Sequence, residues 1–129
     1  MKNVLHIISS ARGSLSYSRG LSTAIIERLV NKGFVGKVVE RDLTKEFPLF
    51  LDDKMIWEFY KLPEAINGEG NLLLKYSYTI YDEINNADII VIGTPMHNLG
   101  ISAPLKAWID QLVRFGITYG YTDNGMLRL

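Results

Sequence analysis

Residues 89–98 read Ile-Ile-Val-Ile-Gly-Thr-Pro-Met-His-Asn, and this stretch decides the fold class. Four apolar β-branched residues in succession predict a fully buried strand of a parallel sheet. Gly93, Thr94 and Pro95 then predict a turn that ends the strand. Ligands of open α/β sheets bind beyond the carboxyl ends of the strands. Residues 96–98 are therefore predicted to lie where a cofactor binds.

A second junction of this kind stands at the start of the chain. Residues 4–8 predict a strand, and Ser9-Ser10 then lead into a loop that carries further serines. The order of elements is strand, helix, strand, long connection, helix, strand, helix and extended tail. This alternation predicts an α/β protein with a doubly wound parallel sheet, and right-handed crossovers favour strand order 2-1-3. The two loops then meet at the switch point between strands 1 and 3.

The remaining elements follow from periodicity and capping signals. Leu21, Ile25 and their helical neighbours predict the apolar face of a first helix that Ser16 or Ser18 caps and Gly33 ends. Residues 36–43 predict the second strand, at a sheet edge. The connection after it is expected to hold one short helix near 53–60, with aromatic residues that cover a core or an interface. We expect one long helix through residue 84 and a second helix from Pro104 to residues 115–116. An extended segment at 117–122 and a turn at 123–125 are expected to follow.

Composition restricts the function classes. The 129 residues suit one domain, 47% of them are apolar, and Lys+Arg and Asp+Glu both number 14. A zero formal charge argues against a nucleic-acid or anionic-membrane surface as the main partner. The absence of cysteine from the sequence excludes thiol catalysis, disulfides and thiolate-bound zinc. The start is too short for a signal-peptide core and no apolar run reaches a membrane span, so a cytoplasmic protein is expected.

The first loop is predicted to bind a phosphate. Ser10, Ser14, Ser16 and Ser18 offer hydroxyls, and the helix start adds free backbone N–H groups at its positive end. The alternative is a serine-rich loop that only caps the helix. No P-loop and no Gly-x-Gly-x-x-Gly motif is present, and the arginines beside the loop are expected to be solvated.

The second loop has the residues to line a flat ring system. Met96 and Leu99 offer apolar contact, and the Asn98 amide and the backbone suit a polar ring edge. The alternative is a connecting turn before a helix. His97 lacks a visible carboxylate partner, so catalytic acid–base chemistry is not favoured there. His6 lies in a strand and is expected to pack, and two histidines without supporting carboxylates give no metal site.

Four segments together resemble the FMN-dependent NADH-azoreductases, flavodoxin-like flavoenzymes that also reduce quinones. Ser9-Ser10 followed by Ser16-Tyr17-Ser18 looks like the family's phosphate loop, and Arg41-Asp42-Leu43 matches the end of its second strand. Residues 95–106, beginning Pro-Met-His-Asn-Leu-Gly, resemble the family's isoalloxazine loop and the following helix. Residues 115–125, Phe-Gly-Ile-Thr-Tyr-Gly-Tyr-Thr-Asp-Asn-Gly, resemble the segment after that helix.

The resemblance implies that residues 1–129 are a single flavodoxin-like FMN-binding domain, the N-terminal two-thirds of the family domain. It implies a homodimer with one FMN per subunit, NADH as the electron donor, and a ping-pong transfer of two electrons to a quinone or an aromatic azo compound. No residue is expected to act as a catalytic acid or base. The residues implied to hold the FMN phosphate are Ser10, Ser16, Tyr17 and Ser18. The residues implied to contact the ring are Met96, His97, Asn98 and Leu99.

The chain departs from the family in two respects. Family members continue further, so the chain is expected to be C-terminally truncated, with the last strands of the fold missing and strand 88–93 left at an edge. Position 97 is usually aromatic in the family, and a protonated His97 that raises the flavin potential is a hypothesis. Two other functions stay open: a flavodoxin-like FMN-binding electron carrier, which the neutral charge disfavours, and an inactive truncated fragment.

Overall fold

The computed structural model describes residues 1–128, which build a parallel three-stranded sheet, a two-stranded hairpin and five α-helices. The sheet strands are β1 (Lys2–Ile8), β2 (Val35–Asp42) and β3 (Ile89–Gly93), in the order β2-β1-β3 with both pairs parallel. This topology confirms the predicted doubly wound sheet with order 2-1-3. None of the helices within residues 1–128 has the length and the apolar run that crossing a bilayer requires.

Helices cover both faces of the sheet. The helix α1 (Tyr17–Asn31) packs on one face, against β3 above all. The helices α4 (Lys75–Asn85) and α5 (Ala103–Leu112) cover the other face. Alternate residues of β1 point into the core below α4 and α5. The buried members of this core are Leu5, Ile7, Leu43, Ile80, Leu105 and Trp108.

The predicted apolar face of α1 is wrong. Leu21 and Ile25 are 67% and 45% exposed, whereas Ser22 and Ile26 are buried. The helix is rotated because the small Ser22 side chain is the one that fits against Gly93 of β3. Its two ends are as predicted: the Ser16 hydroxyl accepts a hydrogen bond from the Arg19 N–H, and Gly33 follows the helix at φ +74°.

The connection after β2 holds the predicted short helix, α2 (Asp53–Phe59), which the Asp52 side chain caps. The predicted long helix is instead two helices, α3 (Gly68–Leu73) and α4, separated at Leu74. The helix breaks there because Leu74, which is 1% exposed, turns into a second apolar cluster with Met55 and Ile66. Local periodicity carries no information about that cluster.

Three further expectations need correction. Trp57 and Tyr60 are 73% and 74% exposed, so they do not cover the core of the described chain, although Phe59 packs on the second cluster. The helix α5 begins at Ala103 with Pro104 in its first turn, but it ends at Leu112 instead of residues 115–116, since Val113 adopts an extended backbone. The strand β3 is not fully buried: Ile90 and Ile92 are 41% and 45% exposed at the edge of the sheet.

The chain then forms a hairpin. The strands β4 (Tyr119–Thr122) and β5 (Gly125–Arg128) pair antiparallel, and the backbone of Gly125 has φ +115°. The predicted extended segment at 117–122 is confirmed only over 119–122, since residues 117 and 118 form a turn in which their N–H groups donate to the Arg114 carbonyl. The predicted Asp-Asn-Gly turn is confirmed. Leu129 lies outside the described residues.

Candidate cofactor site at the carboxyl ends of β1 and β3

The two predicted loops begin side by side. Ile8 of β1 lies opposite Gly93 of β3 in the parallel register. The Ser9 backbone N–H donates to the Gly93 carbonyl at 3.1 Å, and the Ser9 hydroxyl donates to the same oxygen at 3.2 Å. The Ser9 side chain is therefore part of the junction, and the loops that follow diverge from a common point.

The first loop ends in a capped helix start. A short 3-10 turn, Gly13–Leu15, leads to Ser16, whose hydroxyl accepts from the Arg19 N–H at 3.1 Å. The Ser18 hydroxyl lies 3.2 Å from that of Ser16. Ser10 is 3% exposed and accepts a hydrogen bond from the Arg12 N–H at 3.4 Å. The cap and the cluster of hydroxyls thus coexist, and the predicted capping role of Ser16 is confirmed.

Backbone donors complete this cluster. Tyr17 and Ser18 are the first two residues of α1, where backbone N–H groups have no partner inside the helix. The Tyr17 side chain is 86% exposed, with the Arg12 guanidinium carbon 5.8 Å from its ring centroid. Tyr17 therefore offers its N–H to this end of the sheet, while its ring lies at the surface.

The second loop is a tight turn with a strained backbone. His97 and Gly100 exchange two backbone hydrogen bonds, at 2.9 and 3.0 Å. The two residues between them, Asn98 and Leu99, have φ of +49° and +64°. Positive φ at both central residues is the geometry of a type I′ turn, which favours Asn and Gly and disfavours Leu. The turn holds the Leu99 side chain 94% exposed, beside Met96 at 76%.

Two polar groups of the second loop have no partner in the described chain. His97 is exposed, and within residues 1–128 no carboxylate pairs with it, so the loop contains no acid–base dyad. The Ser102 hydroxyl, at the end of the loop, is buried and makes no hydrogen bond to any described residue. The loop thus presents apolar side chains outward and one unsatisfied hydroxyl beneath.

A charged cluster behind the first loop escaped the sequence analysis. The Arg19 guanidinium lies 3.0 Å from an Asp42 carboxylate oxygen and 3.6 Å from one of Glu40. The expectation that Arg19 is solvated is wrong, since its side chain is only 26% exposed. Burial acts to raise the pKa of Asp42, but hydrogen bonds from Thr44 and Arg19 outweigh it and hold that pKa below its usual value. The sequence carried no signal for this cluster, because it depends on the register that sets Asp42 of β2 opposite Ile8 of β1.

One cavity lies at the parallel sheet and another at the hairpin. One of about 460 Å³ is at the amino ends of β1 and β2, away from the two loops. Another of about 450 Å³ lies beside the hairpin, against Tyr119 and Tyr121. Tyr119 and Tyr121 give this second cavity an aromatic wall, and their rings meet edge to face with centroids 5.9 Å apart.

Comparison with known proteins agrees with this architecture. The model of a family described as having the flavodoxin-like fold matches residues 2–129. An FMN-dependent NADH:quinone oxidoreductase 1 of Jannaschia sp. (strain CCS1) is 38% identical over 125 residues, which cover 97% of this chain and 62% of that protein. An FMN-dependent NADH:quinone oxidoreductase of Herminiimonas arsenicoxydans is 37% identical over 129 residues, 100% of this chain and 63% of that protein. The chain thus spans less than two thirds of the length of these relatives.

Solved structures show the same arrangement. The azoreductase from Bacillus anthracis str. Sterne superposes with a TM-score of 0.85 at 28% identity, over 100% of this chain and 64% of that one. An FMN-dependent NADH-azoreductase from Bacillus anthracis str. Ames Ancestor, solved in complex with FMN, superposes with a TM-score of 0.74 at 18% identity, over 100% of this chain and 63% of that one. The second likeness concerns the fold alone.

Proposed function

Because this chain belongs to the family with the flavodoxin-like fold, we propose that it provides the FMN-binding part of an FMN-dependent NADH:quinone oxidoreductase or azoreductase. The names of the relatives at 38% and 37% identity support this activity. The proposal extends to residues 1–129 acting as a single FMN-binding domain. It also includes a homodimer and a cytoplasmic location, which size-exclusion chromatography and cell fractionation test.

The observation that carries the proposal is the pair of loops that start at Ser9 and Gly93. One loop gathers hydroxyls and free helical N–H groups, and the other presents apolar side chains. FMN has the matching parts: a phosphate dianion that suits the donors at a helix start, and a flat ring that suits exposed apolar contacts. The chemistry of the donor set therefore fits FMN.

Each predicted residue has a role in this proposal. Ser10, Ser16 and Ser18 donate hydroxyl hydrogen bonds to the phosphate, and Tyr17 contributes its backbone N–H. Met96, His97, Asn98 and Leu99 contact the ring. When held by these residues, FMN would supply the chemistry of hydride transfer from NADH and of two-electron transfer to a quinone or an aromatic azo compound. The protein's part is to orient the ring, and the exposed Met96 and Leu99 side chains offer the apolar contact for it.

Paired ligands test the proposal. FMN and riboflavin share the ring and differ in the phosphate, so tighter binding of FMN measures the phosphate contribution. We expect Ser18→Ala to weaken FMN binding about tenfold to a hundredfold, the effect of one hydrogen bond to a charged group, and to leave riboflavin binding unchanged. Thr23→Ala is the control, because Thr23 lies on α1 beyond the serines of the loop and its hydroxyl makes no hydrogen bond to any described residue.

Fluorescence titration of both ligands reads out the result. Equal affinities of the wild-type chain for FMN and riboflavin would contradict phosphate binding by the first loop. Absence of binding by either ligand would contradict the whole proposal for this chain and favour an inactive fragment. Reduction of the bound flavin in two resolved one-electron steps would favour the electron-carrier alternative.

A further inference from the structure

A buried polar pair lies directly behind the first loop. His6 of β1 and Ser22 of α1 are both 3% exposed, and the His6 Nε2 atom is 2.7 Å from the Ser22 Oγ atom. This is a side-chain hydrogen bond between the central strand and the helix that carries the serine cluster. A buried polar group without a partner is costly, so each residue depends on the other for its place.

The hydrogen bond persists in either protonation state of His6. In the neutral ring with hydrogen on Nδ1, which faces a Glu40 carboxylate oxygen at 3.6 Å, Nε2 accepts from the Ser22 hydroxyl. In the protonated ring Nε2 donates to Ser22 Oγ, and the hydroxyl hydrogen turns to the Arg19 carbonyl at 3.0 Å. The charged groups around the ring are Glu40 and Asp42 on β2 and Arg19 on α1.

A second contact fixes the same turn of helix to the neighbouring strand. A Cβ atom at Gly93 would come within 2.6 Å of Ser22 Oγ and 3.0 Å of the Ser18 carbonyl oxygen. The turn between Ser18 and Ser22 therefore lies directly on the end of β3. His6 holds this turn from β1, and the missing side chain of Gly93 lets it approach β3.

We propose that His6 and Ser22 are positioning residues for phosphate binding by the first loop. They are too deeply buried to contact the ligand. They act by fixing the position of Ser18 and of the first N–H groups of α1 relative to the carboxyl ends of β1 and β3. This inference rests on the proposed function, since the anion it concerns is the phosphate of FMN. A sub-ångström displacement of the donors weakens a hydrogen bond because these bonds are short and directional.

The test uses three variants and one control. His6→Leu and Ser22→Ala each remove the hydrogen bond, whereas His6→Gln places an amide where the Nε2 atom stands and is expected to restore it. Thr23→Ala is the control, since Thr23 lies on the same helix and its hydroxyl makes no hydrogen bond to any described residue. All four are titrated with FMN and with riboflavin at a temperature well below unfolding.

We expect His6→Leu and Ser22→Ala to reduce the ratio of FMN to riboflavin affinity about threefold to tenfold, as the loss of one hydrogen bond does. Thr23→Ala and His6→Gln are expected to keep the wild-type ratio. A merely structural role would lower both affinities together and leave the ratio unchanged, and that result would overturn the inference.

Hydrogen exchange separates this inference from the proposed function. The Arg19 N–H donates to the Ser16 hydroxyl, and the Gly20 N–H donates to the Ser16 carbonyl. If the wild-type chain binds neither ligand, the proposed function fails. Faster exchange of these two amides in His6→Leu and Ser22→Ala, but not in Thr23→Ala, still supports positioning of the turn. Unchanged exchange overturns it.

Discussion

Replacing Gly93 by alanine tests the contact on which both loops depend. The added Cβ atom would lie 2.6 Å from Ser22 Oγ, 3.0 Å from the Ser18 carbonyl oxygen and 3.1 Å from Ser22 Cβ. Two of these three atoms belong to backbone or to the stem of a side chain, so rotation of one side chain does not relieve the overlap. The first turn of α1 has to move away from β3.

The magnitude follows from two opposing effects. Overpacking of a filled site costs about 1–3 kcal/mol. Removing a glycine from a strand returns about 0.5–1 kcal/mol, because the unfolded chain loses conformational freedom. We therefore expect Gly93→Ala to lower the free energy of unfolding by about 1–2 kcal/mol, and to weaken FMN binding more than riboflavin binding because Ser18 moves with the turn.

Gly20→Ala is the matched control. Gly20 lies in α1, where a Cβ atom would meet nothing within 4 Å. The same substitution there is expected to raise the free energy of unfolding by about 0.5–1 kcal/mol. Urea denaturation followed by circular dichroism measures both variants. A Gly93→Ala protein as stable as Gly20→Ala, with wild-type FMN affinity, would refute the close packing of α1 on β3.

Three further substitutions probe other parts of the chain. Burial lowers the pKa of His6, against a smaller opposite effect of Glu40, so the folded protein binds this proton less readily than the unfolded chain. The free energy of unfolding is therefore expected to fall as the pH drops below 6.5, the pKa of His6 in the unfolded chain. Urea midpoints measured on either side of pH 6.5 are expected to depend less on pH in His6→Gln than in the wild type. Leu99→Gly relieves the left-handed backbone and raises the free energy of unfolding by up to about 1 kcal/mol, while riboflavin titration shows weaker ring binding. Arg114→Ala is expected to lower the free energy of unfolding by about 2–4 kcal/mol in urea denaturation, because Arg114 is buried and its guanidinium lies over the rings of Phe59 and Tyr78. Arg12 is exposed, and Arg12→Ala is expected to lower it by less than about 0.5 kcal/mol.

The sheet was predictable from the sequence because its signals are local. Four β-branched residues in succession, a serine before a helix and a glycine after it each have one dominant structural meaning. The rotation of α1 was not predictable, because it depends on the contact between Ser22 and Gly93, which are 71 positions apart. The break at Leu74 was not predictable for the same reason, because it depends on the packing of Leu74 against Met55, which is distant in the sequence.

Some parts of the candidate site were likewise predictable from local sequence signals, and others depend on contacts between distant residues. The two loops were placed together because parallel strands end at one edge of a sheet, and this needs only the strand order. The cluster of Arg19, Glu40 and Asp42 also needs the register between β1 and β2, which sets Ile8 level with Asp42. Hydropathy patterns do not determine that register when an edge strand alternates weakly, as β2 does.

The two loops differ in what holds them in place, and this difference bears on ligand discrimination. The first loop is held by the hydrogen bond of Ser9 to the Gly93 carbonyl, that of Ser22 to His6, and the ion pair of Arg19 with Asp42. Its donors are therefore fixed before a ligand binds. The second loop is held by two backbone hydrogen bonds and carries Leu99 almost fully exposed in a strained conformation. Preorganised donors contribute affinity without a cost of ordering, whereas an exposed apolar turn gains order only when it is covered. Discrimination between FMN and riboflavin is therefore expected to depend on the start of α1, and the ring contacts of the second loop to contribute equally to both.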